Sequence, residues 1–106
     1  NIFNAILKSG TGGKDFMKIF ENKVLEPINK FKPEIILISA GFDAHYRDPL
    51  ASINLESEDF YEITKKIVEL ANIHSKGRII SFLEGGYDLT ALSESIKEHL
   101  KALAIV

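Results

Sequence analysis

The chain has 106 residues and a formal net charge of −2, with 13 basic and 15 acidic side chains interspersed. That balance offers no bulk attraction to nucleic acid or to an anionic membrane, and no apolar run approaches the ~20 residues a membrane helix needs. The absence of cysteine excludes a disulfide framework and any thiolate metal site, and it suits a reducing cytoplasm.

The length suits a single domain over residues 1–106 with a modest core, and no shift of composition marks a second one. A start at Asn1, without a basic and apolar leader, is expected of a segment from within a longer cytoplasmic protein. An apolar stretch, Ile2 to Leu7, runs into the loop Ser9-Gly10-Thr11-Gly12-Gly13. The Gly-Lys pair there is no phosphate loop, because Lys8 stands where its first glycine belongs and Asp15 follows the lysine. From Lys14 to Phe31, Phe16, Phe20, Val24, Ile28 and Phe31 recur at helical spacing. Pro27 interrupts this pattern and predicts a kink, or two short helices, near Leu25. Pro33 ends the helix and favours an extended Lys32.

Ile35-Ile36-Leu37-Ile38-Ser39-Ala40 is an unbroken, β-branched run. It predicts a strand of a parallel sheet, covered on both faces. After Gly41-Phe42-Asp43 comes a loop of about a dozen residues, a length often tied to function. Ser57 is the expected N-cap of a helix whose stripe is Phe60, Ile63, Ile67 and Leu70, closed by Gly77. Ile79 to Leu83 is the second strand, ending in Glu84-Gly85-Gly86-Tyr87. A last helix carries Leu89, Leu92, Ile96, Leu100 and Leu103 on one face, and His74 and His99 are expected on solvated helix surfaces.

Strands alternating with helices predict βαβ units, a parallel sheet, and ligands at the carboxyl ends of the strands. Asp43 and Tyr87 both fall on that rim. Taken alone, Asp43 either caps a turn or binds a cation, and Tyr87 either covers the sheet edge or donates a hydrogen bond to an oxyanion.

Taken together, Pro33-Glu34-Ile35-Ile36-Leu37-Ile38-Ser39-Ala40-Gly41-Phe42-Asp43-Ala44-His45, then Asp48-Pro49-Leu50, then Leu83-Glu84-Gly85-Gly86-Tyr87-Asp88-Leu89, resemble the histone deacetylase and acetylpolyamine amidohydrolase family. The likeness runs from about Gly10 to Leu103. It implies part of a three-layer α/β/α parallel-sheet fold of the arginase and deacetylase kind, incomplete here, and the C-terminal part of a catalytic domain. By the same resemblance Asp43 matches a zinc ligand and Tyr87 the catalytic tyrosine at the scissile carbonyl. Gly85 and Gly86 match backbone lining the acyl-lysine channel, and Leu50 matches its apolar wall.

Glu84 before the glycine pair is similar to the class II and bacterial branches. The implied substrate is acetylated lysine or an acetylated polyamine. The family's tandem-histidine base and the Asp-x-His segment bearing its other zinc ligands have no counterpart here, so the isolated chain is expected to be inert and to self-associate through uncovered apolar surface. Ala51 stands where a glycine is common and Glu56-Ser57 where a threonine is frequent. His45 lies two residues from Asp43 and superficially imitates the Asp-x-His spacing, but by the resemblance its flanks match the segment that carries the Asp43 ligand. The alternatives are a non-catalytic α/β module binding a small ligand or partner at the same strand ends, and a degenerate family member kept as an interaction domain.

Overall fold

A computed structural model describes residues 1–105. In chain order these form α1 (Gly13–Phe20), a π-helical turn (Glu21–Leu25), α2 (Glu26–Phe31), β1 (Ile36–Ala40), α3 (Ser57–His74), β2 (Ile79–Leu83) and α4 (Leu89–Leu103). The break expected near Leu25 takes the form of that π turn, in which the Glu26 amide reaches back to the Glu21 carbonyl. Pro27 has no amide hydrogen, and its ring would crowd the Lys23 carbonyl of a regular helix; the wider turn relieves both problems. Lys32 departs from the extended form expected before Pro33. It adopts the left-handed conformation, φ 56° and ψ 63°, and caps α2 by donating to the Ile28 carbonyl.

The strands pair in parallel and in register, from Ile36 opposite Ile79 to Ala40 opposite Leu83. Only one face is well covered. On the other face Leu37 and Phe82 are each more than half exposed, so the cover expected on both faces of the strand is absent here, and the uncovered apolar surface expected of an incomplete domain is present. The apolar segment at Ile2, Phe3 and Ile6 is likewise exposed. An open groove of about 930 Å³, lined by Phe3, Val24, Pro27, Phe31, Ile35 and Leu37 among others, continues that uncovered surface.

The covered face carries the core: Ala40, Phe42, Leu55 and Phe60, with Phe16, Ile38, Leu92 and Ile96 packed around them. Helices α3 and α4 pack on one another, but their buried seam is not the aliphatic stripe expected. On α3 the buried positions are Ser57, Phe60, Thr64, Val68 and Ala71. On α4 they are Ala91, Ser95, His99 and Ala102, while Leu89 and Leu100 stand mostly exposed. Small side chains let the helices approach closely, and the larger aliphatic residues flank the seam.

His99 is therefore not a surface histidine. It is 7% exposed, its Nδ1 lies 2.7 Å from Thr64 Oγ1, and its Nε2 lies 2.8 Å from Ser81 Oγ. Since Thr64 Oγ1 also donates to the Phe60 carbonyl, the imidazole bridges α3, α4 and β2 with both nitrogens satisfied. His74 is half-buried and pairs with Asn29 at 2.8 Å.

Burial lowers the pKa of His99 below 6.5. The unfolded chain then takes up a proton at a higher pH than the folded one, so stability falls as pH drops below about 6.5. Thermal melts between pH 7.5 and 5.5 should show this decline, and His99→Gln should make it shallower; an unchanged slope would remove His99 from the effect.

Candidate functional site

The parallel ladder does not stop at the strand ends. The Glu84 amide donates to the Ala40 carbonyl at 2.9 Å, and the Phe42 amide donates to the Gly85 carbonyl at 2.8 Å. These bonds lay the Gly41–Asp43 turn beside the Glu84–Tyr87 turn. Phe42 anchors the first turn: it is 3% exposed, with its ring 5.1 Å from that of Phe60 and 5.5 Å from that of His99.

Asp43 and Tyr87 consequently converge. A methyl group placed on Gly85 would lie 3.2 Å from Asp43 Oδ2 and 3.3 Å from the Tyr87 hydroxyl. The absence of a side chain at Gly85 leaves that space free between the two polar groups. Among the described residues neither the Asp43 carboxylate nor the Tyr87 hydroxyl takes a hydrogen bond, and Tyr87 is 55% exposed. Both groups are thus open to something outside the chain. Gly86 has φ 141°, and a methyl there would come within 2.6 Å of Leu92 Cδ1, so this position accepts only glycine without rearrangement.

Behind this rim lies a polar framework, most of which has no local signal in the sequence. Asp48 is buried, and its Oδ1 accepts from the amides of Leu50 at 2.8 Å and Ala51 at 3.3 Å. Its Oδ2 accepts from the amide of Tyr87 at 2.9 Å, 39 residues away. Burial pushes the Asp48 pKa up, but the three amides and nearby His45 outweigh it, and the net displacement is downward. Asp-Pro already signals a local turn closed by an aspartate; the bond to Tyr87 is tertiary and has no sequence signal. Leu50, at the far side of that turn, is exposed. On the other flank Asp88 caps α4 through the Ala91 amide at 2.8 Å, correctly continuing the chain from Tyr87 into the helix.

His45 is 1% exposed and engaged at both nitrogens. Nδ1 accepts from the Arg47 amide at 3.1 Å, which leaves Nε2–H to donate to Ser57 Oγ at 3.0 Å. Ser57 in turn donates to Glu94, which also pairs with the Arg47 guanidinium. Burial, and then the Arg47 charge, lower the His45 pKa. His45 therefore braces the loop and has no free nitrogen for a metal. Ser57 is accordingly the first residue of α3, not its cap. Glu56 occupies the cap position, with its amide donating to Asp59 Oδ2 at 2.8 Å. Among the described residues no group of three or more His, Cys, Asp or Glu side chains is arranged to hold a metal ion.

The chain matches known proteins over most of its length. Residues 1–103 match the histone deacetylase domain. The chain is 43% identical to Type-2 histone deacetylase 2 of Dictyostelium discoideum, covering 97% of this chain and 6% of that protein. It is 41% identical to the chloroplastic Histone deacetylase 14 of Arabidopsis thaliana over 94% of this chain and 24% of that protein. Among solved structures, the HDA15 HD domain superposes with a TM-score of 0.82 and 33% identity, over 91% of this chain and 26% of that one. The chain thus spans about a quarter or less of each of these relatives.

Gly86→Ala should destabilise the fold by about 1–3 kcal/mol through positive-φ strain and the clash with Leu92. Denaturant melting would measure it, and an unchanged midpoint would show that Leu92 yields freely.

Proposed function

The chain belongs to the histone deacetylase family, and from that premise we propose that it is the C-terminal part of a catalytic domain that hydrolyses an acetyl amide, on acetylated lysine or an acetylated polyamine. The observation that carries this reading is the convergence of the Asp43 carboxylate and the Tyr87 hydroxyl over the bare backbone of Gly85. A carboxylate and a phenol, both without internal partners and facing one gap, suit a metal on one side and a developing oxyanion on the other.

Zinc is the metal the family implies, and the partly open Asp43 carboxylate fits one coordination position. A catalytic zinc takes about three protein ligands. The remaining ligands and the general base belong, on this reading, to chain outside these residues, and the 106-residue chain alone is inert. When bound, zinc supplies Lewis-acid polarisation of the scissile carbonyl. The chain's own residues do the rest of their share by position. Tyr87 donates its phenolic hydrogen to the carbonyl oxygen as negative charge develops there. Gly85 and Gly86 keep room for an extended acyl-lysine stem, and Leu50 offers an apolar wall beside it. The uncovered sheet face and groove are read as surface that the rest of the domain covers; without it, copies of the chain would associate through the same surface. A cysteine-free composition accords with a reducing, cytoplasmic setting.

Two variants of the complete gene product test these assignments. Asp43→Asn should lower bound zinc well below one equivalent by metal analysis, and full occupancy would count against the ligand role. Tyr87→Phe should retain zinc yet lose on the order of 100-fold in deacetylation of acetyl-lysine peptides, the usual cost of deleting an oxyanion donor. Unimpaired turnover would take Tyr87 out of the mechanism.

A further inference from the structure

We propose that Asp48 is a positioning residue for Tyr87: its carboxylate ties the tyrosine's backbone to the turn bearing Leu50, so that the oxyanion donor and the substrate wall are held as one unit. The inference rests on the deacetylase reading above and extends it to a residue outside the metal and the substrate.

Apart from Asp48, Tyr87 is held through its place in the chain. Tyr87 is 55% exposed, and among the described residues its hydroxyl has no partner, so the direction of the side chain follows from its backbone. That backbone follows two glycines, one of them at φ 141°, which bring little stiffness of their own. The turn is fixed before Tyr87 by the Phe42–Gly85 bond and after it by the Asp88 cap. Between these points the Tyr87 amide donates to Asp48 Oδ2 at 2.9 Å.

Asp48 is itself a rigid acceptor. It is 7% exposed, and its other oxygen is held by the amides of Leu50 and Ala51. A charge-assisted bond to a carboxylate already immobilised transmits position more faithfully than a bond to a mobile side chain. The chemistry also requires a carboxylate, since three amide hydrogens converge on it. An asparagine can present one oxygen to the Leu50 turn, but its amide nitrogen then faces the Tyr87 N–H, donor against donor.

Asp48→Asn separates the two functions of this group. Asp48→Ser gives a second separation, because a serine hydroxyl can still close the local turn but is too short to span to Tyr87. Both are made in the complete gene product, alone and with Tyr87→Phe. Zinc content, kcat and KM on an acetyl-lysine peptide, and hydrogen exchange at the Tyr87 amide are measured. Each single variant is expected to keep its zinc, to exchange the Tyr87 amide at least roughly tenfold faster, and to lose roughly tenfold or more in kcat with little change in KM. In the Tyr87→Phe background the further loss should shrink to roughly twofold or less, since residues acting as one unit are not additive.

The same loss in both backgrounds, or an unchanged Tyr87 exchange rate, would overturn the proposal. So would the loss of zinc or of the fold in both Asp48 variants, which would make the carboxylate a support of the structure at large. Full turnover in Tyr87→Phe would remove the oxyanion role of Tyr87 and this inference with it, whereas no turnover by the unaltered complete gene product on acetyl-lysine peptides or acetylpolyamines would remove the deacetylase reading. An impaired Tyr87→Phe with additive Asp48 variants would remove this inference alone.

Discussion

The site depends on a parallel strand pair whose hydrogen bonding runs past its own ends. Because β1 and β2 lie in register and their ladder continues through Glu84–Ala40 and Phe42–Gly85, two turns separated by about forty residues of sequence become neighbours. A shift of one residue in that register would turn every strand side chain to the opposite face. It would also separate Asp43 from Tyr87. The core beneath the sheet, Phe42 against Phe60 and His99, fixes that register from one side.

Polar groups do much of the holding. His99 joins two helices and a strand, Asp48 joins two loops, and His45 with Ser57, Glu94 and Arg47 joins the loop after β1 to α3 and α4. Each places a buried polar atom against a partner, so each is directional where aliphatic packing is not. A small α/β unit with one well-covered sheet face has limited apolar burial to specify a unique arrangement. Directional bonds supply that specificity near the rim.

The strands, the four helical segments and the two glycine turns were legible from hydrophobic period, proline and glycine, because those signals are local. Pro27 marked the helix break, and the β-branched run at Ile35–Ala40 marked the strand. The seam between α3 and α4 was not legible. Helical periodicity points to the largest aliphatic stripe, whereas close approach selected the neighbouring stripe of Ser95, His99 and Ala102. Ser57 had the composition of a cap but was drawn into the His45 network, leaving Glu56 in that role. Lys32 took the left-handed cap despite the following proline. Asp48 shows the limit most clearly: its turn is written in Asp-Pro, and its bond to Tyr87 emerges only from the fold. The expectation of a sheet covered on both faces met a structure in which Leu37 and Phe82 remain exposed.

On the proposed reading, Asp43 and Tyr87 face one catalytic centre from adjoining turns. A crystal structure of the complete gene product with an acetyl-lysine mimic, combined with anomalous scattering at the zinc edge, tests it most directly. The expected result is a zinc peak at the Asp43 carboxylate and the Tyr87 hydroxyl within hydrogen-bond distance of the mimic's carbonyl oxygen. A zinc peak held elsewhere, or a mimic bound away from the turns at Gly41 and Gly85, would contradict it.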